Sequence, residues 1–334
     1  MRPRVGFLGT GWIGRHRMQA MIDGDYIEAA AICDPSEKCR EEAAAVAPAA
    51  TIVETLDAML DLKLDGVVIA TPSALHAKQA IRALERGVAV FCQKPLGRNA
   101  EEVRAVVDAA RRANRLLAVD FSYRLTSAMQ AIAALARDGE LGDIFSVDLV
   151  FHNAYGPDKD WFYDRARSGG GCVIDLGVHL IDLALWTLGF PKITDVDAVL
   201  FSSGRPTGTR DVEDYAVATL RTAAGTAIRL GCSWRLPAGR DAIIEAQFYG
   251  TGGGAAFRNV NGSFYDFLAE RYRGTETETL AVPPDQWGGR AALAWAQRLA
   301  RDARFDSTAN EIVQVAEVVD RLYRAGCVEP TSES

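Results

Sequence analysis

Histidine is scarce in this chain, with four in 334 residues, and His179 stands four positions after Asp175 inside GGGCVIDLGVHLIDLALW (169–186). Residues four apart share a helix face, one turn from each other. A carboxylate so placed can orient an imidazole and raise its basicity. Neutral imidazole, with an unperturbed pKa of about 6.5, can take a proton at pH 7. Asp182 extends the same stripe, while Leu176, Leu180, Leu183 and Ala184 cover the other side. A lone histidine on an apolar helix usually only donates to a carbonyl; the paired carboxylate is what points to acid–base chemistry. The run Gly169-Gly170-Gly171 would let backbone pass close to a ligand or a neighbouring segment.

A second constellation lies near the start. Gly9-Thr10-Gly11-Trp12-Ile13-Gly14 follows an apolar run, VGFL (5–8), and opens a helical pattern. In a dinucleotide fold the first glycine permits a tight turn, the second admits the pyrophosphate, and the third allows close helix–strand packing. The anion then rests on free N–H groups at the helix N-terminus. Gly9, Gly11, Trp12, Ile13 and Gly14 are thus the expected cofactor contacts. Asp34 stands 20 residues after Gly14, where a carboxylate meets the adenosine ribose. It would accept from both ribose hydroxyls and repel a 2′-phosphate, which favours NAD. Lys38 and Arg40 are near enough to leave NADP open.

These residues need a scaffold. VGFL, IEAAAIC (27–33), GVVIAT (66–71), VAVFC (88–92) and LLAV (116–119) predict strands. Helical patterns at 12–22, 36–47, 73–86 and 99–114 separate them. Continuous apolar strands alternating with helices predict a doubly wound parallel sheet, a Rossmann α/β domain, over 1–122. Beyond it, a helix near 125–138, a strand near 144–152 and the helix at 175–187 lead into strands at 193–202, 213–222, 226–235 and 241–250. Helices near 288–302 and 308–325 close the chain. An α+β domain with a large, mostly antiparallel open sheet is expected over 123–329, with a flexible tail at 330–334.

Composition excludes several classes. A formal charge of -7 argues against a nucleic-acid partner. The N-terminal residues show no apolar h-region before a cleavage site, and no uninterrupted apolar run reaches about 18 residues, so a cytoplasmic protein without membrane spans is expected. Six cysteines without CxxC spacing read as reduced thiols, and no metal site is expected.

GTGWIG (9–14), ATPSALHAKQA (70–80), QKPLG (93–97) and GGGCVIDLGVHLIDLALWTLG (169–189), in this order, resemble the motifs of the glucose–fructose oxidoreductase and inositol 2-dehydrogenase family (Gfo/Idh/MocA). The resemblance extends over nearly the whole chain. It implies that Thr71, Pro72 and His76 line the cofactor side. It makes Lys94 the essential lysine between nicotinamide ribose and substrate, where an ammonium stabilises charge on the reacting oxygen. Gln93, beside it, departs from the family's usual glutamate and removes a negative charge. Arg124, His152 and Trp161 fall on the substrate side, within or near an aromatic loop at 152–168. The family also implies a homodimer or homotetramer through the open sheet.

The expected activity is NAD-dependent oxidation of a secondary alcohol on a sugar, cyclitol or related polyol. His179, held by Asp175, would serve as acid and base, with Lys94 polarising the reacting oxygen. One rival is a lyase or glycosidase-type enzyme using transient oxidation, which would form product without net NADH. The other is a non-catalytic NAD sensor, disfavoured because Asp34, Lys94 and His179 are all present.

Overall fold

The computed structural model describes residues 1–208 and 211–327, so the tail expected at 330–334 lies outside the described residues. Two compact units emerge among the described residues, Met1–Ser122 with Gly288–Val313, and Tyr123–Trp287 with the described residues from Gln314 onward.

In the first unit, β1 (Arg4–Leu8), β2 (Glu28–Cys33), β3 (Thr51–Ile52), β4 (Gly66–Ile69), β5 (Ala89–Cys92) and β6 (Leu117–Val119) make one parallel sheet. The strand order is β3-β2-β1-β4-β5-β6. This is the doubly wound order, in which ligands bind beyond the strand ends where the order reverses, between β1 and β4. β4 and β5 are buried at every position, which is why they read as unbroken apolar runs. Local signals set the helix ends. The Asn99 side chain accepts from Glu102 N–H, and Asn114, at φ 49°, closes the helix Ala100–Ala113 in the left-handed region.

The helix Arg290–Arg301 corrects the expected domain boundary. Its apolar face, Ala292, Trp295, Ala296 and Leu299, lies in the core of the parallel sheet with Val5, Phe7, Val68 and Phe91. The Trp295 and Phe91 rings are 5.9 Å apart. Gly66 opens β4 because a Cβ there would come within 2.6 Å of the Trp295 ring. The amphipathic pattern reveals that the helix has a face to bury, and both sheets could receive it.

The second unit holds β7 (Ile144–Asn153), β8 (Ile193–Ser202), β9 (Arg205–Pro206), β10 (Tyr215–Thr222), β11 (Ala227–Ser233), β12 (Ala242–Gly250), β13 (Gly253–Asn259), β14 (Phe267–Arg273) and β15 (Glu276–Ala281). They form a nine-stranded sheet in the order β15-β14-β13-β12-β7-β11-β10-β8-β9. Only β7 and β11 run parallel. The helix Ser127–Arg137 packs on β13 and β14, and the helix Val178–Thr187 on β7 and β12. β10 alternates strictly, with Ala216, Ala218 and Leu220 buried and Val217, Thr219 and Arg221 exposed. On the uncovered face Val217 pairs across strands with the exposed Val199. Charge interrupts that apolar surface, as in the Arg229–Asp148 ion pair.

The stretch Arg165–Thr187 is long and apolar enough to cross a membrane by length and composition, and it is mostly buried within the protein. Cys33, Cys92, Cys172 and Cys232 are buried free thiols; Cys39 and Cys327 are partly exposed. Trp295→Ala should cost about 3–5 kcal/mol, the usual range for emptying a large aromatic site, read as a shift of the urea unfolding midpoint of the first unit.

Candidate active site

The three glycines of the first turn have different reasons to be glycine. Gly9 sits at φ 83°, and a Cβ there would lie 2.6 Å from the Ala70 carbonyl oxygen. A Cβ on Gly14 would lie 2.0 Å from the Gly9 carbonyl oxygen. Gly11 has ordinary φ and nothing within 4 Å of its Cβ position, so the fold itself does not need it. No side chain caps the helix Trp12–Asp23 that begins there. Open space at an uncapped helix N-terminus suits a pyrophosphate. Trp12 and Ile13 are exposed on this first turn.

Asp34 directly follows β2 and braces the same turn. Its Oδ2 accepts from Thr10 N–H at 2.6 Å and its Oδ1 from Ser36 N–H at 2.9 Å. A carboxylate has about four acceptor sites, so capacity remains for ribose hydroxyls. The nearby cations are engaged locally. Arg40 donates to the carbonyls of Asp34 and Pro35, while Arg15 and Lys38 both face Glu42.

β4 and β5 end side by side, Ile69 opposite Cys92, and their following loops carry Thr71-Pro72 and Gln93-Lys94. The sequence places His76 against the cofactor; in the structure its ring is buried, 1% exposed. Nδ1 lies 2.7 Å from the Pro95 carbonyl oxygen and Nε2 2.6 Å from that of Thr71. His76 thus acts as a strut between the two loops. Burial lowers its pKa and the Lys94 charge adds to that, against the pull of the two carbonyls. The Thr71 hydroxyl donates to Gln79.

In the second unit the helix carrying Asp175 and His179 starts with a wide turn. Val178 N–H reaches back five residues to the Val173 carbonyl, and the regular helix runs from Val178 to Thr187. Such bulges recur at functional sites. From Cys172 to Thr187 only Asp175, His179 and Trp186 are partly exposed. Trp234 at the end of β11 donates its indole N–H to Asp175 Oδ2 at 3.1 Å. The His179 ring meets Tyr123 edge to face at 4.9 Å.

The glycine run is held by the protein's own carboxylate. Glu213 is fully buried and accepts from Gly171 N–H at 2.9 Å, Val173 N–H at 3.0 Å and the Tyr323 hydroxyl at 2.8 Å. Tyr323 Oη also accepts from Ile174 N–H. A Cβ on Gly170 would sit 1.9 Å from Tyr323 Oη, and one on Gly171 1.9 Å from the Glu213 carbonyl oxygen. Of the two uses the sequence allows for these glycines, the neighbouring segment is therefore realised. Burial pushes the Glu213 pKa up, while its hydrogen-bond donors pull it down.

Asp182 differs from Asp175 and His179 in exposure rather than in spacing. It is buried and takes a bidentate ion pair from Arg124, with Nε at 2.8 Å and Nη2 at 2.5 Å. Arg124, expected beside the substrate, also lies over the Trp186 and Phe190 rings. The structure makes it a brace. His152 sets Nδ1 2.8 Å from Ser233 Oγ and stacks on Tyr215; burial lowers its pKa. Trp161 stacks on Phe162, which meets Trp234 edge-on. One tryptophan therefore links the aromatic loop to Asp175.

Sequence reasoning passed over Trp234, Tyr123 and Glu213. Tyr123 is buried, and burial followed by the charges of Asp175 and Tyr265 pushes its hydroxyl pKa up. Its only sequence signal was adjacency to Arg124. Glu213 and Trp234 are distant in sequence from the helix they hold. Among the described residues no group of three His, Cys, Asp or Glu is arranged to hold a metal ion.

Two family models match the chain. One, described as an oxidoreductase family with NAD-binding Rossmann fold, covers residues 3–121; the other, the GFO/IDH/MocA C-terminal domain, covers 129–256. The D-glucoside 3-dehydrogenase of Escherichia coli (strain K12) is 29% identical over 75% of this chain and 76% of its own. The D-apiose dehydrogenase of Paraburkholderia graminis is 29% identical over 88% of this chain and 76% of its own. Among solved structures, GenD2 from gentamicin A biosynthesis, in complex with NAD, superposes with a TM-score of 0.81 at 26% identity, covering 97% of this chain and 94% of that one.

The contrast among the glycines has a measurable consequence. Gly11→Val should keep the parent's thermal stability yet weaken NADH binding at least about tenfold, because the side chain occupies space at the anion site. Gly9→Val and Gly14→Val should lower the melting temperature itself. NADH fluorescence titration beside thermal melts separates the two effects.

Proposed function

The chain belongs to the Gfo/Idh/MocA family of NAD(P)-dependent oxidoreductases, and we propose that it oxidises a secondary alcohol of a sugar, cyclitol or related polyol, or reduces the matching ketone, with NAD preferred. The sugar dehydrogenases among its relatives support that substrate class. NAD preference rests on Asp34 and on the engagement of Arg15, Lys38 and Arg40 with groups of the protein itself. When bound, the nicotinamide supplies the hydride acceptor or donor.

The protein's residues handle the proton and the charge. His179 removes the proton of the reacting hydroxyl as general base, and returns it in the opposite direction. Asp175, held by the Trp234 indole, orients the imidazole. Lys94 hydrogen-bonds the reacting oxygen and stabilises the negative charge that develops as the proton leaves. Trp161 and Arg124 belong on the substrate side, where Arg124 also braces Asp182; His152, stacked on Tyr215, shares instead the sheet face of Val217 and Arg229. A homodimer or homotetramer forms through the uncovered sheet face that carries Val199 and Val217.

The observation that carries this reading is the exposure pattern of the helix. Over sixteen consecutive residues from Cys172 to Thr187, burial leaves an acid and a base partly open, one turn apart. His179→Ala should lower kcat by about 10²–10⁴, the usual contribution of a positioned acid–base group. Lys94→Met should lower it by about 10²–10³, as for loss of one donor to a developing oxyanion. Both should melt near the parent's temperature. Absorbance of the reduced cofactor with a competent sugar checks this; undiminished turnover in His179→Ala removes histidine from the mechanism.

A further inference from the structure

Gln93, the residue after β5 in the first unit, lies against a buried ion pair. Its side-chain amide donates to Asp120 Oδ2. Asp120 is buried, 1% exposed, at the residue after β6. The same Oδ2 accepts from Arg17 Nε at 2.6 Å, and Oδ1 accepts from the Ser122 hydroxyl. Arg17, buried on the helix Trp12–Asp23, also donates through Nη2 to Ser122 Oγ at 3.2 Å. One buried cation and one buried anion are thus matched, with a neutral amide completing the set.

We propose that Asp120 is the positioning carboxylate for the Lys94 segment, and that residue 93 must donate a hydrogen bond because Asp120 is there. Gln93 is the link through which the buried Arg17–Asp120 pair fixes the loop after β5. Glutamate at 93 would bring a second carboxylate against Asp120 Oδ2. Two carboxylates in contact cannot both ionise, so one would have to hold a proton. Other groups facing Asp120 do not relieve this. His16 lies beside Arg17 on the same helix, the Ser122 hydroxyl already donates, and the Cys92 thiol is buried with its pKa raised well up by burial and by Asp120. A carboxylate at 93 becomes acceptable once 120 is an amide, because charge and donor count are then restored with their places exchanged.

The test compares Q93E, D120N and the exchanged double variant Q93E/D120N with the parent. In Q93E the shared proton gives one carboxylate a folded-state pKa above its unfolded value. Its stability should therefore match the parent best at low pH and fall behind as pH rises above about 4.3, the unfolded glutamate value. At pH 8, kcat/KM should be at least about tenfold below the parent, chiefly in kcat, and the double variant should regain most of both losses, as coupled neighbours do. Additive losses in the double variant, or a Q93E melting profile parallel to the parent's from pH 5 to 9, overturn the proposal. Recovery of stability without recovery of kcat overturns the positioning role. Should D120N not fold, Q93E against the double variant still decides. The kinetic arm rests on the oxidoreductase reading and the melting arm does not, so a chain that turns over no sugar leaves the coupling of 93 and 120 readable.

Discussion

A carboxylate buried at the start of a helix governs the second unit. Glu213 gathers two backbone N–H groups and the Tyr323 hydroxyl at the point where the chain turns into the helix ending at Thr187. A buried carboxyl without partners would be costly; this one meets three donors. Holding it requires backbone within hydrogen-bond reach, which excludes side chains at 170 and 171. The helix is therefore fixed at its first turn, and with it the direction in which Asp175 and His179 face. Arg124 and Asp182 fix it a second time, farther along.

Both units use the same principle around their candidate chemistry. Charged groups are bound to fixed partners. Arg17 with Asp120, Arg124 with Asp182, and Asp34 with the N–H groups of Thr10 and Ser36 all belong to that scaffold. Removing one member of a buried pair strands the other, at a cost of about 3–5 kcal/mol. Such pairs hold geometry, which is what hydride and proton transfer require.

Much of this was legible in the residues. The parallel sheet announces itself because strands buried on both faces are apolar throughout, and Asp34 because the dinucleotide turn fixes its distance along the chain. The antiparallel strands from 193 to 250 show themselves through alternation. β13 to β15 do not, since segments such as FLAERYR and ETETLA mix charge into strands that are partly or largely exposed. The helix at 290–301 showed its apolar face without showing which sheet would take it. Partnerships across long separations were invisible: Trp234 lies 59 residues from Asp175, and Arg124 lies 58 from Asp182. The Arg124 partner of Asp182 and the partners of the glycine run, Glu213 and Tyr323, thus leave no local signal. No local pattern encodes such pairs, because only the completed sheet brings them together.

The assignment comes down to whether a hydride leaves a carbinol carbon of a sugar for nicotinamide. The direct measurement is incubation of the purified protein and NAD with a panel of glucosides, free sugars and cyclitols deuterated at their ring carbinol carbons. Reduced cofactor is followed by absorbance and weighed by mass spectrometry. The expected result is NADH accumulation with at least one member, its mass raised by one deuterium. Tight NADH binding with no deuterium transfer to cofactor from any of the panel would contradict it.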